Sequence, residues 1–321
     1  FNGMNHSITG IRTDYQKEVS GLFGVNNGII QNVKLVANNI NGKQFVGGVA
    51  GYNSGRIEGS CNIQGSVSAE NNVEKNYVSA GGVVGMNNGT ISRSFNQGSV
   101  SSKSFSSSYA GGVVGWNIAG QIENSYNGGL VSSQSNHSVA GGVVGVTASS
   151  RYKMENIYNT GSVSSRGNNS AAGGVAGLNI SGKMQYAYNI GSVISEGNVS
   201  KAGGVVGEIW GGRGMQNIFY NINCEIKGNT RCEEGQKIEP EDMKNENFVT
   251  TGLGNAFIKL NEKINDGYPI LKSSCKSIFK SMIDSYVKKL KKIQEKFYTN
   301  YDICRRLYPQ NLDDPNNNNL E

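Results

Sequence analysis

Short apolar runs recur along this chain at a nearly fixed interval. The pentapeptide Gly-Gly-Val-(Val/Ala)-Gly occurs six times, and its starts lie 34, 30, 30, 32 and 30 residues apart, at Gly47, Gly81, Gly111, Gly141, Gly173 and Gly203. Each apolar run is long enough for a strand, too short for a helix, and bounded by Asn or Gly. A period of this length indicates one strand-rich unit that stacks on its copies to bury its apolar face.

Aligning the copies places apolar residues in four columns, and these columns are the predicted core. The columns are the first Val of the motif, a following Ile or Met, a Cys or aromatic residue four positions later, and a Val after the next Gly. They begin with Val49, Ile57, Cys61 and Val67. Because only inward residues of stacked parallel coils meet the next layer, this pattern predicts an all-β parallel β-helix (β-solenoid). We expect about seven coils of three short strands each.

Asn and Gly also keep fixed places in the repeat. One Asn column follows the aromatic position, from Asn62 to Asn189, and a second follows the glycine motif, from Asn53 to Asn179. Both columns favour corners whose side-chain amides pair from layer to layer. A Gly before the third strand, as at Gly129, indicates either a positive φ or a close backbone approach.

The pattern changes after Lys272, where Gly disappears and Lys becomes frequent. Apolar residues then recur at intervals of 4, 3, 4, 3 and 4 from Phe279 to Phe297, which predicts an amphipathic α-helix. We expect a solenoid over residues 1–228, a closing segment over 229–272, a helical region over 273–308 and a disordered tail over 309–321. Three fates are compatible with the helix: capping of the solenoid, self-association, and contact with an anionic membrane surface.

Composition and charge limit the classes of function. Among 321 residues there are 45 glycines, 8% aromatic residues and 17% charged residues, as in a thin-cored repeat protein rather than a compact enzyme. The net charge is +6, and much of it lies after Lys272. The solenoid is therefore near neutral and offers no basic stripe to nucleic acid. No run of about 18 apolar residues is present that would span a bilayer.

Several segments resemble a known bacterial repeat. Ser-Gly-Leu-Phe-Gly at 20–24, followed by Asn-Asn-Gly-Ile-Ile-Gln-Asn-Val at 26–33, resembles the GLUG repeat. That repeat occurs in adhesin-like surface proteins and in the stalk of the IgA-specific metallopeptidase family. Residues 1–10 are similar to the strand and turn that precede such arrays, and 243–248 and 267–271 to the segment that closes them. The resemblance covers about residues 1 to 272 and implies the architecture far more than the function.

The chain has five cysteines. Cys61 stands in an apolar column, where we expect a buried free thiol. Cys224 and Cys232 flank a short connection beyond the last glycine motif, where a disulfide would clamp the end of the array; two reduced thiols are the open alternative. Cys275 and Cys304 bracket the helical region, and their pairing would require the chain to fold back.

Candidate catalytic chemistry is sparse. The histidines are His6 and His137, and Cys-x-x-Cys, His-Glu-x-x-His and Gly-Lys-Ser/Thr motifs are absent, so we predict no catalytic residue, metal site or cofactor. Glu58, Glu123 and Glu155 share one outward column. A solvated face explains this column better, because Ser and Gln interrupt it. The alternative function is a polysaccharide-processing β-helix enzyme that uses Glu123 and Glu155 as acid and base.

Variation between the copies indicates where a partner binds. The segments between the third strand and the next Gly-Gly differ most, and we expect them to project from one edge of the stack as loops. The candidate binding surface consists of Tyr52, Trp116, Tyr109, His137 and Arg166. We expect a non-enzymatic bacterial module, secreted or displayed at the cell surface, that binds a host protein or glycan or acts as a spacer. Rows of Ser such as Ser99 and Ser101 make ice binding a weaker alternative.

Overall fold

The computed structural model describes residues 1–73, 77–148, 151–211, 214–260, 263–274 and Lys292. Within it, Phe1–Lys272 forms one compact unit. The helical region predicted over 273–308 lies outside the described residues apart from its first two residues and Lys292. The tail predicted over 309–321, together with Cys275 and Cys304, also lies outside them.

The chain winds as a parallel β-solenoid, and each coil passes through four parallel sheets. We number these sheets 1 to 4 in the order in which the chain meets them within a coil. The predicted β-solenoid of about seven coils is confirmed. Each coil, however, has four strands rather than three. The segment before each Gly-Gly pairs with its counterparts in the neighbouring coils, as in His137–Gly141, and is therefore a strand and not a projecting loop.

The strands have the following bounds. Sheet 1 contains Ser7–Thr9, Ile29–Gln31, Lys34–Val36, Arg56–Glu58, Cys61–Ile63, Thr90–Ser92, Phe95–Asn96, Gln121–Asn127, Lys153–Asn159, Lys183–Asn189, Met215–Asn221 and Gln236–Ile238. Sheet 2 contains Asn39–Gly42, Ser66–Asn71, Ser99–Ser104, Val131–Gln134, Val163–Arg166, Val193–Glu196 and Ile226–Lys227. Sheet 3 contains Val19–Ser20, Phe45–Gly47, Tyr77–Gly81, Ser107–Gly111, His137–Gly141, Asn169–Gly173, Val199–Gly203 and Thr230–Cys232. Sheet 4 contains Phe23–Asn26, Ala50–Asn53, Val84–Asn87, Val114–Asn117, Val144–Thr147, Ala176–Asn179 and Val206–Ile209.

Equivalent residues of successive coils lie directly above one another. The backbone N–H of Val83 donates to the carbonyl of Val113 at 3.0 Å, and that of Val113 donates to Val143 at 2.9 Å. These three side chains are fully buried in the main core cluster. The columns that begin at Val49, Ile57 and Val67 all face inward, as predicted. Apolar burial along the axis therefore holds each coil to its neighbours.

The aromatic column was predicted to lie in this core, but its side chains point outward from sheet 1, where Tyr158, Tyr188 and Phe219 are buried in a separate cluster. Phe95, Tyr126, Tyr158 and Tyr188 stack with ring centroids 4.9, 4.7 and 5.0 Å apart and nearly parallel planes. Between the inward Ile122 and this column the chain contains a residue with positive φ, which resets the alternation of inward and outward side chains.

The first predicted asparagine ladder is present in full, and the second is present except for Asn179. In the first, each side-chain amide from Asn62 to Asn189 donates to the next at 2.7 to 2.8 Å. In the second, Asn26, Asn53, Asn87 and Asn117 are joined in the same way at 2.7 to 2.9 Å. All of these asparagines are buried, so the ladders satisfy polar groups that water does not reach.

A segment after the last coil covers the C-terminal part of the aromatic column. It contains a short α-helix at Pro240–Met243, a π-helix at Phe248–Leu253, a 3-10 helix at Asn265–Gly267, and an antiparallel pair formed by Phe257–Ile258 and Ile270–Leu271. Its apolar side chains pack on Tyr158, Tyr188 and Phe219. The Tyr188 hydroxyl donates to the carbonyl of Pro269, and burial raises the pKa of Tyr188. Among the described residues, no helix has the length and apolar content needed to cross a membrane.

The predicted disulfide between Cys224 and Cys232 is not formed, and both residues are free thiols. Cys232 ends the last strand of sheet 3 in register with Gly203, whereas Cys224 lies in the turn after sheet 1. The two backbones thus belong to different faces of the solenoid. Cys61 is buried and free, as predicted.

We expect burial of Cys61 to make the stability of the protein fall at alkaline pH. Burial raises the pKa of its thiol from 9.0 to about 12. Between these values the unfolded chain loses the proton while the native chain keeps it, so the free energy of unfolding decreases as pH rises. Urea unfolding at several pH values between 8 and 12 should show that the free energy of unfolding falls more steeply with pH for the wild type than for Cys61→Ala. Equal slopes would contradict a buried, protonated thiol.

Candidate functional site

The outer faces of sheets 3 and 4 meet along a line outside the main core. The chain turns sharply between the two sheets, and side chains seven residues apart face each other across the turn. Lys201 pairs with Glu208 in this way, and the hydroxyl of Ser79 donates to the backbone carbonyl of Gly85, six residues along the chain, at 2.8 Å. We call the two facing columns the outer seam; they consist of Phe45, Ser79, Tyr109, Val139, Ala171 and Lys201 on sheet 3, and Tyr52, Met86, Trp116, Val146, Leu178 and Glu208 on sheet 4.

Glycine makes the close approach of the two sheets possible. A Cβ placed on Gly81 would lie 1.9 Å from the carbonyl oxygen of Val84, and one on Gly115 would lie 2.3 Å from the hydroxyl of Ser79. Any side chain at these positions would push the sheets apart. The repeated motif therefore shapes the base of the outer seam in every coil.

The chemical character of the outer seam changes along the axis. Its early coils carry aromatic side chains, its middle coils carry the buried cluster of Val139, Val146, Ala171 and Leu178, and its last coil carries the Lys201–Glu208 ion pair. The middle is thus filled by its own side chains. The aromatic end presents several neighbouring rings to solvent, and the ionic end presents the ring of Trp210.

Four half-buried rings form one cluster at that end. The centroid of Tyr77 lies 5.9 Å from Phe45, 6.4 Å from Tyr109 and 5.0 Å from Trp116, and Tyr109 lies 5.6 Å from Trp116. We call Phe45, Tyr77, Tyr109 and Trp116 the aromatic cluster. The indole Nε1 of Trp116 has no hydrogen-bond partner among the described groups, and burial raises the pKa of Tyr109. Edge-to-face contacts keep the rings in fixed orientations.

The structure brings together two of the five predicted binding residues. Tyr109 and Trp116 are in contact, and Tyr52 lies two coils before Trp116 in the same column. His137 is exposed at the start of a sheet 3 strand, two residues from the seam, and its ring Nε2 lies 3.2 Å from Nδ2 of Asn169. Arg166 ends a strand of sheet 2 and pairs with Glu196 at 2.6 Å.

Arg166 belongs to a second surface, the edge between sheets 2 and 3. Two-residue turns join these sheets in most coils, where loops were predicted. Phe105 is 60% exposed there, and the exposed amides of Asn136, Asn168 and Asn198 form a third ladder at 2.7 and 3.2 Å. A shallow cavity of about 400 Å³ lies beside these turns and is partly lined by Arg166.

The alternative catalytic pair is also in register. Glu123 and Glu155 are neighbours on the outer face of sheet 1, and Gln121 donates to Glu123 at 3.0 Å. Both carboxylates are half-exposed. In the part of the chain that the structure describes, no three His, Cys, Asp or Glu side chains are placed to hold a metal ion.

Sequence reasoning missed Phe45, Tyr77 and Phe105. Tyr77 and Phe105 lie in segments expected to be loops. The alignment of Phe45 and Tyr77 depends on the fourth strand of each coil. The signal available was the alternation of polar and apolar residues before each Gly-Gly, as in Tyr77-Val-Ser-Ala80.

The fold is similar to that of a solved bacterial protein. It matches the crystal structure of a putative immunoglobulin A1 protease from Bacteroides ovatus with a TM-score of 0.52 and 20% sequence identity. The match covers 85% of this chain and 77% of that one. No protein-family model matches the chain, and no curated protein matches its sequence. At this level of identity, the likeness shows the β-solenoid fold alone.

Proposed function

We propose that this protein is a non-enzymatic binding module of the bacterial cell surface or secretome, and that its aromatic cluster binds a host glycan. The observation that supports the proposal is the set of four half-buried rings held on a rigid stack of coils. Aromatic rings offer large contact area at a low cost in conformational entropy. A host protein is the other class of partner, and the experiment below separates the two.

The surroundings of the aromatic cluster favour a neutral glycan over a charged ligand. None of the four rings has a cation–π partner among the described residues. The exposed polar groups of sheet 3 include His137 and Asn169, which are suited to hydrogen bonds with hydroxyl groups. The unpartnered Nε1–H of Trp116 supplies a further donor once a ligand shifts the ring.

Membership in the GLUG-repeat family is part of this proposal. It is supported by the segments at 20–24 and 26–33 and by the solenoid fold that they imply. Adhesion is the role we propose within that family, with the coils acting as a spacer that presents the aromatic cluster. Self-association or membrane-surface contact through the predicted helix between 279 and 297 remains a separate proposal that needs its own test.

Trp116→Ala is expected to weaken glycan binding by about tenfold or more, because removal of a central aromatic anchor costs about 2 kcal/mol. A glycan array would identify the ligand, and titration calorimetry would compare the variants. Trp210→Ala is the matched control, since Trp210 is 66% exposed and lies at the ionic end of the outer seam. Equal weakening by both changes, or binding only to host-matrix proteins, would contradict the proposal.

One observation supports an enzymatic alternative. Glu123 and Glu155 are adjacent in register, at a strand spacing of about 4.8 Å, near the carboxylate separation of retaining glycosidases. Purified protein should then hydrolyse a polysaccharide, and Glu123→Gln and Glu155→Gln should each abolish turnover. That result would replace the binding proposal.

A further inference from the structure

A second concave site lies on the opposite side of sheet 1 from the core, between the last coil and the segment that follows it. The cavity has a volume of about 450 Å³, within the range of about 300 to 1,000 Å³ that is usual for small-molecule sites. It is separate from the aromatic cluster, which none of its lining residues belongs to.

The floor of this cavity is aromatic. Phe219, the last ring of the outward column, meets Phe248 edge to face, with centroids 4.9 Å apart and planes at 75°. Gly252 packs directly against these rings, which are 6% and 8% exposed and reach the cavity only by their edges. A Cβ on Gly252 would lie 3.1 Å from Cδ2 of Phe248 and 3.4 Å from Cζ of Phe219. The floor is therefore shaped by two rings and one residue without a side chain.

The rim of the cavity is polar. Gln236, Asp242 and Asn247 are exposed and line it, and their side chains make no hydrogen bond to another described group. Asn217 donates through Nδ2 to the carbonyl of Gly252 at 2.7 Å, which leaves its Oδ1 as an acceptor. Amides and a carboxylate around an aromatic floor provide both donors and acceptors for hydroxyl groups.

The charges around the cavity exclude an anionic ligand. Asp242 is the one charged side chain in the lining. The nearest lysines along the chain are engaged elsewhere: Lys244 pairs with Glu241 at 3.4 Å and lies over the ring of Tyr268, and Lys237 pairs with Glu233 at 3.1 Å. An anion would therefore meet the carboxylate of Asp242 without a cation to offset it.

We propose that this cavity binds a single neutral sugar residue, such as the end of a glycan chain. The apolar face of the sugar ring packs on Gly252 and on the exposed edges of Phe219 and Phe248. Its hydroxyl groups bond to Asp242 and to the amides of Gln236 and Asn247. The site is independent of the aromatic cluster and holds whether or not that cluster binds glycan.

The test is ligand-observed NMR of the full chain with glucose, galactose, mannose, N-acetylglucosamine and, as the anionic arm, glucuronic acid. We expect at least one neutral sugar to bind and glucuronic acid to bind more weakly. Asp242→Ala should weaken binding about tenfold, because it removes a charge-assisted hydrogen bond. Glu241→Ala is the matched control, since Glu241 is on the same helix but outside the cavity.

Asn247→Ala provides a second variant that changes no charge, and we expect it to weaken the same sugar. Trp116→Ala should leave this binding unchanged, which separates the cavity from the aromatic cluster. Absence of binding by every neutral sugar, equal binding of glucuronic acid, or equal effects of Asp242→Ala and Glu241→Ala would overturn the proposal.

Discussion

Gly111→Ala is expected to prevent folding of the solenoid. A Cβ at this position would lie 1.8 Å from the carbonyl oxygen of Val114 and 2.6 Å from the backbone nitrogen of Gly145, in the next coil. Both obstacles are backbone atoms of paired strands, so relief would require separation of sheets 3 and 4 over two coils. Expression of the variant should yield no soluble protein with the β-rich circular dichroism of the wild type.

Gly128→Ala is the matched control in the same coil. Its Cβ would lie 3.4 Å from the hydroxyl of Thr160, an ordinary contact with a side chain. We expect this variant to fold with a urea midpoint close to that of the wild type. If Gly111→Ala folds equally well, the close approach of sheets 3 and 4 does not depend on glycine.

Asn127→Ala is expected to reduce the free energy of unfolding by about 3 to 5 kcal/mol, because it leaves several buried polar groups without partners. The side chain of Asn127 accepts from Asn96 and donates to Asn159, both at 2.8 Å. It also donates to the carbonyl of Gly129 at 2.8 Å and accepts from its N–H at 3.2 Å. Urea unfolding followed by circular dichroism measures the loss.

Asn136→Ala is the control for this prediction, since Asn136 belongs to the exposed ladder at the edge between sheets 2 and 3. Water replaces its hydrogen bonds, and the expected loss is below about 0.5 kcal/mol. Similar decreases in the free energy of unfolding for the two variants would show that burial of the first ladder adds nothing to stability.

Most of the fold was predictable from the sequence because inward positions tolerate few residue types. Val83, Val113 and Val143 touch only one another and neighbouring core residues, so the same small apolar side chain recurs at each copy. The Asn ladders were predictable for the same reason: each amide must match the amide above and below it. A column of identical residues in the aligned copies indicates that the coils stack directly on one another.

The direction of the aromatic column was not predictable from spacing alone. Ile122 and Tyr126 are four residues apart and would share a face in a regular strand. Asn124 lies between them with a φ of 49°, and the equivalent residues Arg93 and Tyr186 have φ values of 51° and 54°. Arg and Tyr give no sequence signal for a left-handed conformation, whereas Asn124, Asn156 and Asn217 do, so the reversal of faces was signalled in only some of the coils.

The candidate site was predicted only in part because it depends on the fourth strand. Tyr52, Tyr109 and Trp116 were found by their variation between copies. Tyr77 joins them because its segment is a strand that runs in register with Ser107–Gly111. Once that segment was taken for a loop, its outward side chains had no defined neighbours.

One break in the second ladder bears on how the rod responds to stress. Thr147 stands where five other coils have Asn and the last coil has Ile209, and its buried hydroxyl has no hydrogen-bond partner among the described groups. The second asparagine ladder, which starts at Asn26, therefore stops at Asn117 and does not reach Asn179. Of the two buried ladders, only the first joins the coils at Thr147, so under tension or heat the amides of Asn127, Asn159 and Asn189 alone carry the buried amide reinforcement there.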